Sequence, residues 1–384
     1  MRYNIVKSNF YNDETDMLTV QRETSENRCK NILSPKRIAV IGVGASGLTA
    51  IKCCLDEGLE PVCFERTDHI GGLWYYTDSA VDGQACVMKS TVINTSKEMM
   101  CYSDFPIPKE YPIFMHNSYV LKYFNLYCKN FGLKKYIKFK TMVVSLRKRP
   151  DFASSGQWDI QIRNRDSGEK QDLVFDAVMI CTGHHAEKNM PTFPSLDKFK
   201  GKVIHSNNYK DSRGYEDKRI VVVGIGNSCG DAAVELSRVA SQGDVKLPTS
   251  QEMWDDIHFK SDAMAKRYVK SQRHTIQVDY VDYMDEIAEI GGNKPDLYAL
   301  LKKDPKLALR CFFGACTPYQ YRLMGPNSWT GAREAIMTQW DRTCYPLKTR
   351  PLGFEIEKSQ LKFFFIYFLF IAMFAFIVHY LFMS

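Results

Sequence analysis

Residues 36–74 limit what this chain can fold into more than any other stretch. They begin KRIAVIGVGASGLTAIKCCLDEGLEPVCFER and end HIGGLW. Ile38–Ile41 is a short apolar run of the kind that forms a buried parallel strand. Directly after it, Gly42, Gly44 and Gly47 set G-x-G-x-x-G where a helix should begin. Gly42 permits the tight turn, Gly44 admits backbone close to a diphosphate, and Gly47 lets the helix lie against the strand. Free N–H groups at the helix start, with the helix dipole behind them, favour an anion there. A second apolar run, Pro61–Phe64, ends in Glu65. That carboxylate stands about twenty residues past the glycines, where a second strand offers an acid to a ribose diol. Strand, turn, helix and acid in this register predict a dinucleotide-binding β-α-β unit. The paired Gly71-Gly72 predicts backbone lying close against a second part of the same ligand.

GVGASG, FER and GGLW together resemble the FAD-binding opening of the flavin-containing monooxygenases. The resemblance implies that Gly42, Val43, Gly44, Ala45, Ser46, Gly47, Glu65, Gly72, Leu73 and Trp74 hold FAD. Val87–Pro108 is a polar stretch without a clean period, read as a loop or short helical turns. Within it Asn94 matches an Asn that in this family lies beside the flavin ring and contacts nicotinamide cofactor and substrate. Asn94 is therefore the candidate catalytic residue, with Thr95 beside it on the cofactor. Ile93 stands where the family has a Ser that also contacts the nicotinamide cofactor.

Further along, Tyr119–Phe131 has helical spacing, with Tyr123, Leu126 and Tyr127 as a core stripe. Ile137–Val144 and Trp158–Ile162 alternate like strands, joined through Ser154-Ser155-Gly156. Leu173–Cys181 is an apolar strand running into Thr182-Gly183-His184-His185, and CTGHH matches the family's C-[ST]-G-H-H, which passes near the flavin. Adjacent histidines on extended chain point apart, so they form no metal site. Phe199–Tyr209 fits F-x-G-x-x-x-H-x-x-x-[FY], the fingerprint of flavin monooxygenases that attack nitrogen or sulfur. His205 itself reads as a structural histidine shaping a connection, together with Gly201.

The opening logic then recurs. Arg219–Val223 reads as a strand; Gly224 and Gly226 follow, and Asn227 to Asp231 lead into a helix. The resemblance makes this the NADPH site, G-x-G-N-S-G, with Gly224, Gly226, Ser228, Cys229, Gly230 and Asp231 as binding residues. Cys229 replaces the third glycine, which loosens the expected helix–strand packing, and Gly230 follows to compensate. After Val239 the second strand and its basic residues are missing, as is the family's returning F-A-T-G-Y strand. The sequence resumes at Glu252 with family-like C-terminal text, as in a member lacking a large internal piece. Asp255–Val269 and Tyr283–Leu309 read as helices, and Tyr319–Trp340 as a turn-rich stretch ending in a helix.

Two other features bear on class. The net charge of +7 is mild over 384 residues, and the basic residues are scattered without interleaved aromatics, so no nucleic-acid partner is expected. Twelve cysteines lack zinc-ligand spacing, so no metal site is expected either. They read as reduced thiols in a cytosol-facing protein. Phe363–Met383 is nearly unbroken apolar sequence, long enough to cross a bilayer as a helix, with Lys358 and Lys362 just before it. That predicts a tail anchor, in the endoplasmic reticulum membrane as the resemblance implies, with the catalytic body in the cytosol; a helix lying in one leaflet is the rival reading.

The expected fold is α/β: a Rossmann-like FAD-binding domain, a second and incomplete NADPH-binding Rossmann unit, and a C-terminal transmembrane helix. The expected division is a disordered extension over residues 1–35, the FAD domain over 36–217 and the truncated NADPH unit over 218–247. A helical part over 248–350 returns to the FAD domain, then a linker over 351–362 and the anchor over 363–383. The expected function is FAD- and NADPH-dependent oxygenation of soft nitrogen or sulfur centres in small-molecule amines or sulfides, through a C4a-hydroperoxyflavin. The alternative is a catalytically impaired relative that binds FAD but cannot use NADPH. A homo-oligomer is compatible with either. A disulfide reductase is disfavoured, because no C-x-x-C follows the first unit.

Overall fold

The computed structural model of the chain describes residues 35–240, apart from 82, 191 and 225, and residues 280–346, with backbone only at 280–283. The expected N-terminal extension, the helix over Asp255–Val269 and the apolar run Phe363–Met383 lie outside the described residues. Among the described residues, no helix is long and apolar enough to cross a membrane, and no cluster of potential metal ligands forms.

The first unit folds as expected. β1 (Arg37–Ile41), α1 (Ala45–Asp56) and β2 (Glu60–Phe64) follow in order, with β1 and β2 parallel from Ile38↔Pro61 to Ile41↔Phe64. α1 turns Leu48, Ile51 and Cys54 inward at helical spacing. After the short α2 (Lys97–Met100), α3 (Asn117–Asn130) buries Val120, Tyr123, Phe124 and Tyr127. Leu126, expected in that core stripe, is instead 38% exposed. The buried stripe on α3 runs i, i+3, i+4, i+7 from Val120, and Leu126 falls outside it.

Two expected strands are each cut in half. Within Ile137–Val144, β3 (Ile137–Lys138) pairs beside β2, whereas β4 (Thr141–Lys148) starts an antiparallel meander. Lys140, with φ of +52°, makes the corner, and its N–H donates to the Thr67 carbonyl. The connection at Ser154-Ser155-Gly156 contains a helical turn, α4 (Phe152–Ser155), closed by Gly156. β5 (Trp158–Asn164) and β6 (Lys170–Phe175) complete the meander, and β7 (Ala177–Ile180) returns beside β1. Leu173–Cys181 therefore belongs to two sheets, divided at Asp176. The Asp176 N–H donates to Arg37 O at 2.9 Å, and its carboxylate accepts the Arg37 N–H at 2.8 Å. The result is a four-stranded parallel sheet ordered β3-β2-β1-β7 and a three-stranded sheet ordered β4-β5-β6.

The second unit departs from expectation. Arg219–Val223 forms no strand. Its backbone makes no hydrogen bond among the described residues, and Val221 and Val223 are 87% and 69% exposed. A buried parallel strand needs paired neighbours, and the described residues supply none. The helix after it does form: α5 (Asn227–Leu236) packs Ala232 and Leu236 onto Met88 and Tyr209. β7 likewise has β1 on one side and no described strand on the other, leaving Ile180 65% exposed.

The expected helix over Tyr283–Leu309 is three. α6 (Tyr280–Ile290) ends in a turn at Gly292, φ +67°. α7 (Leu297–Lys303) and α8 (Pro305–Phe313) are separated at Asp304, whose carboxylate caps α8 by accepting the Leu307 N–H. α9 (Ala332–Cys344) follows, and Leu307, Cys311, Ala335 and Ile336 join the main core.

One cation lies inside that core. Lys97 is fully buried, and its Nζ donates to the carbonyls of Pro108, Lys109 and Tyr111 at 3.2, 2.9 and 2.8 Å. Next to it Arg342 holds the Glu98 carboxylate through two hydrogen bonds at 2.9 and 3.1 Å, tying α9 to α2. Burial pushes the Lys97 ammonium down to about 8 from 10.5. Between those values the unfolded chain binds more protons than the folded one, so this group's contribution to stability rises with pH through that window. The stability difference between wild type and Lys97→Met, measured by urea unfolding at pH 7.5 and pH 10, should grow by about 1–3 kcal/mol. A flat difference would place the ammonium's affinity for its proton near that of a free lysine.

Candidate active site

The site is built from bare backbone. Gly42, φ +94°, donates its N–H to the Phe64 carbonyl, so the turn after β1 is tied to the end of β2. A Cβ on Gly47 would stand 1.9 Å from Gly42 O, so α1 lies as close to the turn as only glycine permits. Gly44 caps α1 without a side chain. The N–H groups of Ala45, Ser46 and Gly47 make no hydrogen bond among the described residues and are free for an anion.

Gly71-Gly72 lies across this turn. The Gly71 N–H donates to Val43 O at 3.2 Å, and a Cβ on Gly72 would come within 3.1 Å of the Gly44 Cα. Leu73 and Trp74 continue as a 3-10 turn, and Trp74 packs on the main core. Two stretches some thirty residues apart thus face each other with no side chain between them, as a diphosphate cradle requires.

Glu65 closes the inner side. It is 8% exposed. One carboxylate oxygen accepts the Val43 N–H at 2.9 Å; the other accepts the Thr67 N–H and hydroxyl at 2.9 and 2.8 Å. An ionised carboxylate has about four acceptor positions, so one remains for a ligand hydroxyl. The exit of β7 forms another wall: the Cys181 carbonyl stands against Gly42, and Ser46 hydrogen-bonds the Cys181 thiol. Burial pushes that thiol up to about 11, so it stays protonated. His184 and His185 follow as exposed rings, their centroids 3.8 Å apart and their planes tilted by 44°.

Asn94 and Thr95 sit in an exposed bend after the buried Ile93. Val92 bridges to His116 at the start of α3, and Leu121, about one turn later, reaches Gly71. No hydrogen bond holds either the Asn94 or the Thr95 side chain among the described residues. The structure sets their loop on the same helix that backs Gly71-Gly72, without bringing them into contact with the turn. His205 caps the turn that follows it: its Nδ1 accepts the Asn207 N–H at 3.1 Å.

The second turn is half built. Gly224 takes φ of +127° and Gly226 caps α5. Cys229, in the third glycine's place, bonds through its thiol to the Gly224 carbonyl at 2.6 Å, so it folds onto the turn. Ser228 and Gly230 are exposed, and burial raises the Asp231 carboxyl above its ordinary value. A dinucleotide fits the first turn. At the second, the fit stops at the turn and helix, because the strand that should seat them is unpaired.

Several supporting residues escape a reading by motif. Thr67 orients Glu65. The Tyr102 hydroxyl donates to Ala45 O at 3.0 Å and steadies the start of α1. Tyr123 accepts the Tyr102 N–H and donates to Phe105 O, fixing the loop that carries Tyr102. For Thr67 the signal is its place two residues past the acid, in E-R-T; Tyr102 and Tyr123 carry no local signal beyond being aromatic.

Comparison with known proteins agrees with this geometry. A model of the flavin-binding monooxygenase-like family matches residues 35–245 and 241–381, nearly the whole chain in two adjoining pieces. Flavin-containing monooxygenase 5 of Cavia porcellus is 36% identical over 514 aligned positions, covering 85% of this chain and 95% of that protein; its Homo sapiens counterpart is 35% identical. Dimethylaniline monooxygenase [N-oxide-forming] 2 of Rattus norvegicus is 33% identical, over 83% and 94%. An alignment of 514 positions exceeds the 384 residues present, so a long stretch of the relative has no counterpart here. Among solved structures, S-allyl-L-cysteine S-oxygenase from Allium sativum superposes with a TM-score of 0.50 at 27% identity. That likeness covers 54% of this chain and 49% of the Allium enzyme, so the chain spans about half of that enzyme's length. The relatives are monooxygenases by name, and membership implies FAD and NADPH as cofactors. On the glycine cradle, the buried acid and the family match together, the chain belongs to the flavin-binding monooxygenase-like family.

Proposed function

We propose that this chain binds FAD across the turn of Gly42–Gly47 and, with NADPH as reductant, oxygenates soft nitrogen or sulfur centres of small-molecule amines or sulfides. The observation that carries the reading is the side-chain-free approach of Gly44 to Gly72 beside buried Glu65. When bound, the flavin supplies oxygen activation and transfer of one oxygen atom. The chain's part is to bind, orient and exclude water. The free N–H groups of Ala45, Ser46 and Gly47 take the diphosphate. Glu65 accepts a ribose hydroxyl, and Gly72, Leu73 and Trp74 cover the ligand's outer side. Asn94 presents an amide, both donor and acceptor, at the open side of the loop, where it orients cofactor and substrate; Thr95 stands beside it. Gly224, Gly226, Ser228, Cys229, Gly230 and Asp231 form the turn offered to NADPH. The domain division set out above is proposed with these roles. Phe363–Met383 anchors the chain in the endoplasmic reticulum membrane, with the body on the cytosolic side.

A second reading is favoured by one observation, the unpaired and exposed Arg219–Val223. On that reading the chain holds FAD and cannot accept hydride from NADPH, and serves as a binding protein.

Purified full-length protein in detergent should be yellow, with a flavin spectrum. NADPH added without oxygen bleaches it on the first reading and leaves it yellow on the second; colourless protein overturns both. Gly72→Ala puts a Cβ at 3.1 Å from the Gly44 Cα and at φ of +53°, so it should abolish retained flavin while circular dichroism stays unchanged. Glu65→Gln should raise the FAD Kd by about ten- to a hundredfold, the usual cost of weakening a hydrogen bond to a charged group. Unaltered affinity in both variants would remove the cradle from the site.

A further inference from the structure

The outer face of α8 is apolar where a solvated helix is polar. At about 100° per residue, Leu307, Ala308 and Cys311 point inward and are buried. Leu309, Phe312 and Phe313 point outward, 53%, 68% and 74% exposed. Lys306 and Arg310, also exposed, border the same face. Trp340 of α9, 63% exposed, stands near its end: Gln339 bonds Thr317 and Ala315, just beyond Phe313, and Trp340 is the next residue. Large aromatic and aliphatic side chains bordered by cations mark a helix that lies in the interface of a bilayer. There the rings sink to headgroup depth and the basic groups meet lipid phosphates.

The chain's own layout selects a lipid surface over another protein. Described residues end at Pro346, right after α9, and the apolar run begins at Phe363. The intervening sixteen residues reach at most about 55 Å when extended, so the anchor proposed above is tethered to the end of α9, the helix that carries Trp340.

We propose that Leu309, Phe312, Phe313 and Trp340 form a second, peripheral membrane contact, which fixes the orientation of the body on the bilayer. The inference rests on the anchoring proposed above in one respect: the anchor keeps this face near lipid. Full-length protein in phosphatidylcholine vesicles, with and without phosphatidylserine, tests it by tryptophan quenching. The chain has five tryptophans, so the difference between wild type and Trp340→Phe isolates one. That difference signal should be quenched at least twofold more by lipids brominated high in the acyl chain than by aqueous acrylamide. The preference should vanish in a Leu309→Glu, Phe313→Glu double variant whose circular dichroism is unchanged. It should also lose its dependence on phosphatidylserine in a Lys306→Gln, Arg310→Gln variant. Quenching by acrylamide alone overturns the proposal. So does a dimer that the double variant converts to monomer, which would mean a second copy covers the face. Alkaline carbonate extraction keeps the two claims apart. Protein washed off the vesicles refutes the anchor, and protein retained with Trp340 in water refutes the face.

Discussion

The hydrogen bond from the Val43 N–H to the Glu65 carboxylate is the interaction on which the site depends. It joins the turn after β1 to the end of β2, the two places a Rossmann unit must bring together to hold a dinucleotide. Because Thr67 takes the other carboxylate oxygen, the acid is oriented before any ligand arrives. An ionised group this buried costs free energy unless it is hydrogen-bonded, and three donors from the protein meet that cost. The arrangement is preorganised: the cradle does not have to form as the cofactor enters.

Much of this was legible in the sequence, because each feature rests on a local constraint. Gly42, Gly44, Gly47 and Glu65 lie within one β-α-β unit, where spacing alone sets geometry. α3 and α5 were legible from period and composition. What could not be read was the point where one apolar run serves two sheets. Ile137–Val144 and Leu173–Phe175 with Ala177–Cys181 look continuous, since β-branched and apolar residues suit a strand in either sheet; only Lys140 and Asp176 mark the divisions, and neither is an unusual residue. The burial of Lys97 was also hidden. Its three carbonyl partners, at Pro108, Lys109 and Tyr111, come from a loop whose path no periodicity describes. The single helix expected over Tyr283–Leu309 crosses Gly292 and Pro305, both of which stop helices for reasons visible in the sequence.

The second unit shows the opposite relation between local and global preference. RIVVVGIGNS has every local property of a strand entering a nucleotide turn. Yet a strand is a pairing, not a conformation of one segment, and Arg219–Val223 has no described partner. α5 survives beside it because a helix satisfies its own backbone and needs only Met88 and Tyr209 to bury its inner face. The flavin-containing monooxygenase 5 of Cavia porcellus has a long stretch with no counterpart here. Among the described residues, the helix of this unit is formed and the strand before it is not.

Among the described residues β7 has no outer neighbour, and an unprotected edge of this kind is ordinarily a weak point. Asp176 changes that. By exchanging two hydrogen bonds with Arg37 at the very start of β1, it fastens the meander to the parallel sheet immediately before β7 begins. β7 is thus held in register from its first residue by a covalent neighbour already locked in place, and does not rely on a strand beyond it. Arranged this way, the glycine turn beside β1 draws its footing from Arg37 and Asp176, and not from a strand outside β7.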